Sequence, residues 1–399
     1  MRLIKLFRSA LVKSYQILLG VWLTYYITNQ YSLSTFGNYS AQIATLFIFG
    51  FVSKLGFDIL VLKEKNNSTL FNVILPVYLM ILILGLITGS LIALFVGVQA
   101  ISIVLFSFTL VFSEFLRRKD LNEWYIFLSG GLQYSIQVIL FWNQEVVDFI
   151  GVTFVILISV ALPFVALVII YHRVIIHAFS NLLVLPIRKV KKVLNESVGQ
   201  LFFNLTAILN NWLGVYLLSI YGNLESVAIF AAVKRITNGL SFPQQVLNIN
   251  LANPLAKSLE NKDQLNSILL KQRNLFFYTS ITMVVGGLLA AMLLTQLINV
   301  PAELIPDLWT VYSILVAMII VNVLTGPTFI FTRITGGLTK KVFVLVLLVV
   351  VNYGLAIILP FSNKLILISW AAFFSMTSIN IYLMYTAYQD HGIHLYAKP

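Results

Sequence analysis

The sequence predicts an all-α, polytopic membrane protein with about twelve transmembrane helices, arranged as two six-helix bundles around a central cavity. Hydrophobic residues make up 59% of the 399 residues and charged residues only 10%, whereas a soluble domain carries roughly a quarter charged residues. The apolar runs are about 20 residues long, which is the length that a helix needs to cross the hydrocarbon core. Polar and apolar residues do not alternate within them, as they would in the strands of a transmembrane barrel.

Twelve runs have this length, and each is expected to form one membrane span. The predicted spans are 10–30, 37–62, 70–97, 99–116, 123–143, 147–171, 199–222, 226–256, 273–300, 306–332, 339–361 and 364–388. The connections on one side of the membrane, such as "NQYSLST" and "GNLES", are only a few residues long. We therefore expect no domain outside the membrane on that side.

The distribution of basic residues predicts the orientation. All but four of the 26 Lys and Arg residues lie near the termini or in one alternate set of loops, and the opposite loops hold only Lys364. Because basic loops remain in the cytoplasm, both termini are expected to be cytoplasmic. The net charge of +12 is therefore a topology signal and does not indicate nucleic-acid binding. The other three exceptions, Lys54, Lys234 and Arg235, lie inside predicted spans.

The longest connection divides the chain into two halves. Residues 1–180 form a predicted N-terminal six-helix bundle, 181–198 an amphipathic cytoplasmic linker containing "LPIRKVKKVLNE", and 199–399 a C-terminal six-helix bundle. Each half begins alike, since "TYYITNQYSLSTFGNYSAQIATL" and "GVYLLSIYGNLESVAIFAAVKRI" both place a short polar turn between an aromatic helix end and a small-residue helix start. An even number of spans makes the two repeats parallel, an arrangement that many transporters use.

Several stretches in the same order resemble one transporter group. They are "YSLSTFGNYS" in span two, "VAIFAAVKRI" in span eight, "NPLAKSLENKDQLN" after it, and "ITGGLTKKVFVLVLLVVVNYGLAIILP" around span eleven. With the length and the six-plus-six arrangement, the chain resembles the Wzx-type O-antigen and polysaccharide flippases of the multidrug/oligosaccharidyl-lipid/polysaccharide exporter superfamily.

This resemblance implies a function as well as a fold. The implied function is alternating-access transport of an undecaprenyl-pyrophosphate-linked oligosaccharide from the cytoplasmic to the outer leaflet of a bacterial inner membrane. Such a protein is a transporter and not an enzyme, and it works without a cofactor. Its implied partners are the lipid-linked oligosaccharide, membrane lipids, a polysaccharide polymerase and a chain-length regulator, with no nucleic acid among them.

Two adjacent cations in span eight are the first candidate site. At about 100° per residue, Lys234 shares one helix stripe with polar residues that follow it. The stripe consists of Lys234, Asn238, Ser241, Gln245 and Asn248. A charge inside a membrane is costly and normally faces a cavity or other helices. Lys234 is thus a candidate ligand for the pyrophosphate of the cargo, with Asn238, Ser241 and Gln245 beside it.

The alternatives for this pair are a structural ion pair with a buried carboxylate and snorkelling towards the surface. Arg235 lies about 100° away from Lys234 around the helix, so it fits the stripe less well. Gly239 and Pro243 allow a bend that would bring Arg235 into the same site. Arg235 is therefore a second candidate ligand for the cargo.

Lys54 and Asp58 in span two are the second candidate site. One interpretation is a neutral i, i+4 pair between helices. The other assigns Lys54 to the anionic cargo and Asp58 to coupling with a proton or another cation. This second interpretation predicts that Lys54→Ala abolishes transport while protein levels hold.

Other polar residues within spans are weaker candidates. The amide and hydroxyl side chains that could hold sugars, or bond to neighbouring helices instead, are Asn204, Asn210, Asn211, Asn322 and Thr325. Glu114 precedes Arg117 at a span end and is expected to form a solvated or interfacial pair with it.

Two rival functions remain from the sequence. A membrane polymerase or glycosyltransferase handles the same lipid-linked sugars, but the short outer loops offer it only scattered acidic residues. A cation-coupled multidrug exporter of the same superfamily would favour acidic residues in its interior. The interior of the predicted spans contains three cations and mainly two carboxylates, Asp58 and Glu114, which favours an anionic cargo. The chain has no cysteine, which excludes disulfides and thiolate metal sites, and no metal site is predicted.

Overall fold

The computed structural model describes residues 2–64, 66–84, 99–119, 121–182, 186–258, 262–335 and 338–392, and these residues form helices without a strand. The first seven helices are α1 Arg2–Gln30, α2 Leu33–Ser53, α3 Phe57–Lys63, α4 Asn67–Leu84, α5 Gln99–Arg118, α6 Asn122–Trp142 and α7 Gln144–Leu182. The remaining eight are α8 Ile187–Tyr221, α9 Leu224–Leu240, α10 Phe242–Ser258, α11 Lys262–Leu297, α12 Ile305–Leu324, α13 Thr328–Thr335, α14 Leu338–Ile358 and α15 Lys364–His391.

The predicted fold class, an all-helical polytopic membrane protein, is confirmed. Eight of the helical segments among the described residues are long and apolar enough to cross a membrane. Each predicted span coincides with a helix or with two consecutive helices. The end of the third predicted span, residues 85–97, lies outside the described residues.

Short polar turns end one helix and begin the next. Asn223 Oδ1 accepts a hydrogen bond of 2.8 Å from the Ser226 amide at the start of α9, and Asn363 Oδ1 accepts one of 3.2 Å from the Ile366 amide at the start of α15. Such caps satisfy backbone donors that the first helical turn leaves free. The α1–α2 and α8–α9 connections are each two residues long, so the repeated sequence pattern produces two similar helical hairpins.

Three of the predicted spans are interrupted. α2 ends before a turn at residues 54–56 in which Leu55 and Gly56 both have positive φ, and a Cβ at Gly56 would lie 2.5 Å from the Ser197 carbonyl oxygen. α9 ends just before Ser241 because Pro243 has no amide hydrogen to continue the ladder of hydrogen bonds. α12 and α13 are separated at residues 325–327, where Gly326 has a φ of 76°.

The chain forms two compact units. The first contains residues 1–23 and 38–208, and the second contains residues 24–37 and 209–399. The end of α1 and the start of α2 therefore group with the C-terminal helices. Of the stretch predicted as an amphipathic linker, residues 187–198 form the first part of α8, and the division at residue 208 falls inside this helix.

An aromatic core holds the first unit together. Phe57, Tyr78, Phe108 and Phe112 are buried in one cluster, and the rings of Phe108 and Phe112 stack with centroids 4.0 Å apart. Helix α7 packs against α5 and α6. Burial of such large apolar side chains stabilises the association of α3, α4, α5 and α7.

In the second unit α9 is the central helix. It packs against α10, α11, α12 and α15, and its residues from Val227 to Lys234 are all buried. Small residues allow close approach: a Cβ at Gly37 would overlap the Leu224 carbonyl oxygen, and one at Gly214 would lie 2.7 Å from the Phe230 ring. The position of α9 places Lys234 inside this unit.

Candidate functional site

Lys234 is buried in the second unit, and no described carboxylate pairs with it. Only 5% of the residue is exposed, and no described residue provides a hydrogen bond or an ion pair to its Nζ. Ten residues, or about 15 Å of helix, separate it from the start of α9 at Leu224. An ammonium group buried without a partner is rare because its desolvation is not offset. Lys234 therefore indicates a site for an anion.

The predicted polar stripe continues from Lys234 towards α10. Asn238 is exposed, and Ser241, Gln245 and Asn248 are partly buried. Gln245 Nε2 donates to Ser241 Oγ over 2.9 Å, and Ser241 Oγ donates to the Asn238 carbonyl over 2.7 Å. These contacts carry the stripe across the interruption at Ser241. Hydrogen bonds thus connect Asn238, Ser241 and Gln245 across the end of α9, and Lys234 lies one turn before Asn238.

Arg235 points to a different set of neighbours. Its Nη1 donates to Thr24 Oγ1 over 3.3 Å, and its guanidinium group lies 5.2 Å from the centre of the Phe36 ring. Both neighbours belong to the α1–α2 hairpin that groups with the second unit. Arg235 is therefore engaged in a hydrogen bond to a neutral group and in a cation–π contact, and its role in cargo binding remains a prediction.

Two other lysines of the second unit provide a comparison. Lys341 is also buried, but its Nζ lies 2.8 Å from Asp390 Oδ2. Lys364 Nζ donates to the carbonyl groups of Ile357 and Leu359, each over 2.8 Å. Both lysines thus have hydrogen-bond or charge partners, which offset the cost of removing an ammonium group from water. Lys234 differs from both.

Lys54 and Asp58 form the pair that one interpretation of the sequence expects. Lys54 Nζ lies 2.6 Å from Asp58 Oδ2 and 3.8 Å from the centre of the Phe51 ring, and only 3% of Lys54 is exposed. The pair spans the turn at residues 54–56, so the two residues do not share one continuous helix. Asp58 Oδ1 is buried without a hydrogen-bond partner among the described residues. The role of this pair in transport remains a prediction.

Glu114 forms the expected pair with Arg117, but its carboxylate is buried and not solvated. Only 4% of Glu114 is exposed, because α3 packs against α5 and covers it. Its Oε2 lies 3.6 Å from Arg117 Nη1 and has no hydrogen-bond partner among the described residues. Glu114 is also close enough to Lys54 and Asp58 to interact with their charges. In the sequence, Glu114 lies one turn before Arg117 at the end of an apolar span, and this pattern does not predict that the carboxylate is buried.

The asparagine candidates fall into two groups. Asn210 Nδ2 donates to Met376 Sδ over 3.1 Å, and its Oδ1 has no partner among the described residues. Asn211 is exposed, and the side chain of Asn204 lies outside what the structure describes. Asn210 thus keeps an acceptor for a polar ligand.

Asn322 takes part in a hydrogen-bonded network that the sequence did not reveal. Asn322 Nδ2 donates to Gln244 Oε1 over 3.1 Å, Asn380 Nδ2 donates to Asn322 Oδ1 over 2.9 Å, and Thr328 Oγ1 donates to Asn380 Oδ1 over 2.8 Å. Thr325 Oγ1 donates to the Asn322 carbonyl. The network joins α10, α12, α13 and α15 across the interruption after α12, as polar side chains between membrane helices commonly do. A role of Asn322 and Thr325 in binding sugars remains a prediction. Asn380 and Thr328 are polar residues in apolar stretches of the sequence. Only a periodic polar face would have marked them as members of a network, and the sequence does not indicate one.

No group of three or more His, Cys, Asp or Glu side chains in the described part of the chain has the geometry to hold a metal ion. The candidate groups of the second unit are the cations Lys234 and Arg235 and neutral polar side chains. Those of the first unit are the Lys54–Asp58 ion pair and the nearby carboxylate of Glu114.

Comparison with known proteins identifies the fold. No protein-family model and no curated protein matches the sequence. Among solved structures, an inward-facing multidrug resistance MATE family transporter of the MOP superfamily aligns with a TM-score of 0.68 at 14% identity, over 96% of this chain and 94% of that chain. The MATE multidrug transporter DinF-BH, solved as a complex, aligns with a TM-score of 0.63 at 14% identity, over 96% and 94% of the two chains. A MATE structure in complex with MaL6 gives 0.62 at 15% identity, over 97% and 96%.

These alignments cover nearly the whole chain at low sequence identity, so they show the fold and not the cargo. The protein is a multi-pass membrane protein with a MATE-like transporter fold.

Proposed function

We propose that the protein is a flippase that moves an undecaprenyl-pyrophosphate-linked oligosaccharide from the cytoplasmic to the outer leaflet of a bacterial inner membrane by alternating access. The observation that carries this proposal is the buried Lys234 without a counter-charge. A fixed cation inside a membrane protein favours an anionic cargo, and a pyrophosphate-linked lipid offers that charge together with an apolar tail.

The polar groups around α9 suit the rest of such a cargo. Asn238, Ser241 and Gln245 extend from Lys234 in a row, and Asn210 has an unused acceptor. Hydroxyl-rich sugars need donors and acceptors of this neutral kind. Buried polar atoms without partners are uncommon in folded proteins and favour an unseen ligand or water.

The Lys54–Asp58 pair gives the proposed transporter a means of coupling. A proton or another cation on Asp58 would weaken its attraction for Lys54, which would then be available to the anionic cargo. The unused Asp58 Oδ1 supports this role because it leaves one carboxylate oxygen available in the presence of Lys54. Glu114 adds a second buried carboxylate nearby.

A cation-coupled multidrug exporter is the second candidate. It is favoured by the structural neighbours, two of which are named multidrug transporters, and by the two buried carboxylates of the first unit. The uncompensated cation on α9 opposes it, because a cationic drug would be repelled there.

Deletion of the gene in its native host tests the proposal. We expect loss of surface polysaccharide and accumulation of undecaprenyl-linked repeat units on the cytoplasmic side, because transport precedes polymerisation. Re-expression of the wild-type chain should restore export. Single, unpolymerised units at the cell surface would instead identify a polymerase, and unchanged polysaccharide with increased drug sensitivity would identify a drug exporter.

A further inference from the structure

The described surroundings of Lys234 contain no carboxylate that neutralises it. The acidic residues of α9 and of the helices packed against it lie at helix ends: Glu225, Asp263, Asp307 and Asp390. Glu225 is exposed and nine residues, or about 14 Å of helix, from Lys234. Asp307 accepts hydrogen bonds from Asn363, and Asp390 pairs with Lys341.

The neighbouring basic groups add positive charge. Arg235 carries a permanent positive charge on the next residue, and the α1–α2 hairpin places the neutral Thr24 and Phe36 beside it. Among the described residues, Lys234 thus has a cation as its neighbour in the chain and no acidic partner.

A buried lysine is costly unless it is neutral, paired with a carboxylate or bound to an ion. Since the described chain supplies no counter-ion to Lys234, we propose that the solvent supplies one: a small inorganic anion, such as chloride or phosphate, binds Lys234 Nζ when the cargo is absent. Asn238, one turn after Lys234 on the same helix, is exposed. This inference rests on the proposed function for its second part, in which the pyrophosphate of the cargo displaces the anion.

Thermal unfolding of the purified full-length protein in detergent tests the resident anion. Melting temperatures are compared in sodium chloride, sodium phosphate and sodium gluconate of equal ionic strength, because gluconate is too bulky for a buried site. A ligand that binds only the folded state stabilises it. We expect chloride or phosphate to raise the wild-type melting temperature by about 2–5 °C relative to gluconate.

Three variants identify the residue responsible. The shift should disappear in Lys234→Met and persist in Lys234→Arg, which keeps the charge. It should also persist in the matched control Lys341→Met, which removes a buried lysine that already has a carboxylate partner. An equal melting temperature in all three salts for the wild type, or an undiminished shift in Lys234→Met, would overturn the inference.

A second measurement separates this inference from the proposed function. Farnesyl pyrophosphate, a short polyprenyl pyrophosphate, should bind the wild-type protein several-fold more weakly in the stabilising salt than in gluconate. Equal binding in all salts would show that no resident anion is displaced, and the proposed function would survive. An anion-dependent melting temperature without any binding of farnesyl pyrophosphate would confirm the anion site and count against the proposed cargo.

Discussion

Replacing Lys234 by methionine is expected to abolish export of the lipid-linked oligosaccharide and, in sodium gluconate, where no small anion is available to Lys234, to leave the protein as stable as before or more stable. Methionine fills a similar volume without a charge, so the desolvation cost of an unpaired ammonium disappears. Replacing buried charges by apolar residues is often neutral or stabilising by about 1–4 kcal/mol. The measurements are surface polysaccharide in the complemented deletion strain and thermal unfolding of the purified variant.

The combination of the two readouts makes this prediction specific. A lysine that serves packing would give the opposite pattern, a lower melting temperature with export intact. Lys341→Met is the matched control, because it removes a buried lysine whose partner Asp390 is half exposed. Full export by Lys234→Met would remove Lys234 from the cargo site.

Single substitutions of Lys54 or Asp58 are expected to destabilise the protein, and the double variant Lys54→Met/Asp58→Leu to recover its stability without recovering transport. Removal of one partner leaves a buried charge unpaired, which costs about 3–5 kcal/mol. The double variant leaves no charge at these two positions. Thermal unfolding and surface polysaccharide are measured for the two single variants and the double variant.

This design separates the two roles of the ion pair. The contact of 2.6 Å between the side chains means that Lys54→Ala alone changes stability and any cargo contact together. A stable double variant that exports normally would show that the pair serves packing only. A stable double variant without export would support coupling through Asp58 and cargo contact through Lys54.

The order and extent of the helices were predictable because hydrophobic length carries the membrane signal. The interruptions were less evident, although each contains a helix-breaking residue: Gly56 in "SKLGFD", Pro243 in "GLSFP", and Gly326 with Pro327 in "LTGP". Glycine and proline occur in many continuous membrane helices, where neighbouring groups satisfy the backbone. Only the structure shows which of them end a helix.

The candidate site was predictable in part. Helical periodicity groups Lys234 with Asn238, Ser241 and Gln245, since residues three and four apart share a face, and their common role remains a prediction. The same rule could not distinguish a paired lysine from an unpaired one, because pairing depends on residues distant in the chain. It also could not assign the α1–α2 hairpin to the second unit, where Thr24 and Phe36 contact Arg235.

Translocation by purified protein in liposomes tests the central claim most directly. A fluorescent, short-chain polyprenyl pyrophosphate that carries a sugar is placed in one leaflet, and its appearance in the other leaflet is followed with wild-type protein, with Lys234→Met, and with Lys341→Met. The account predicts rapid movement with the wild type and Lys341→Met, and the rate of protein-free liposomes with Lys234→Met. A wild-type rate no faster than that of protein-free liposomes, in a preparation that does move a cationic dye, would contradict it.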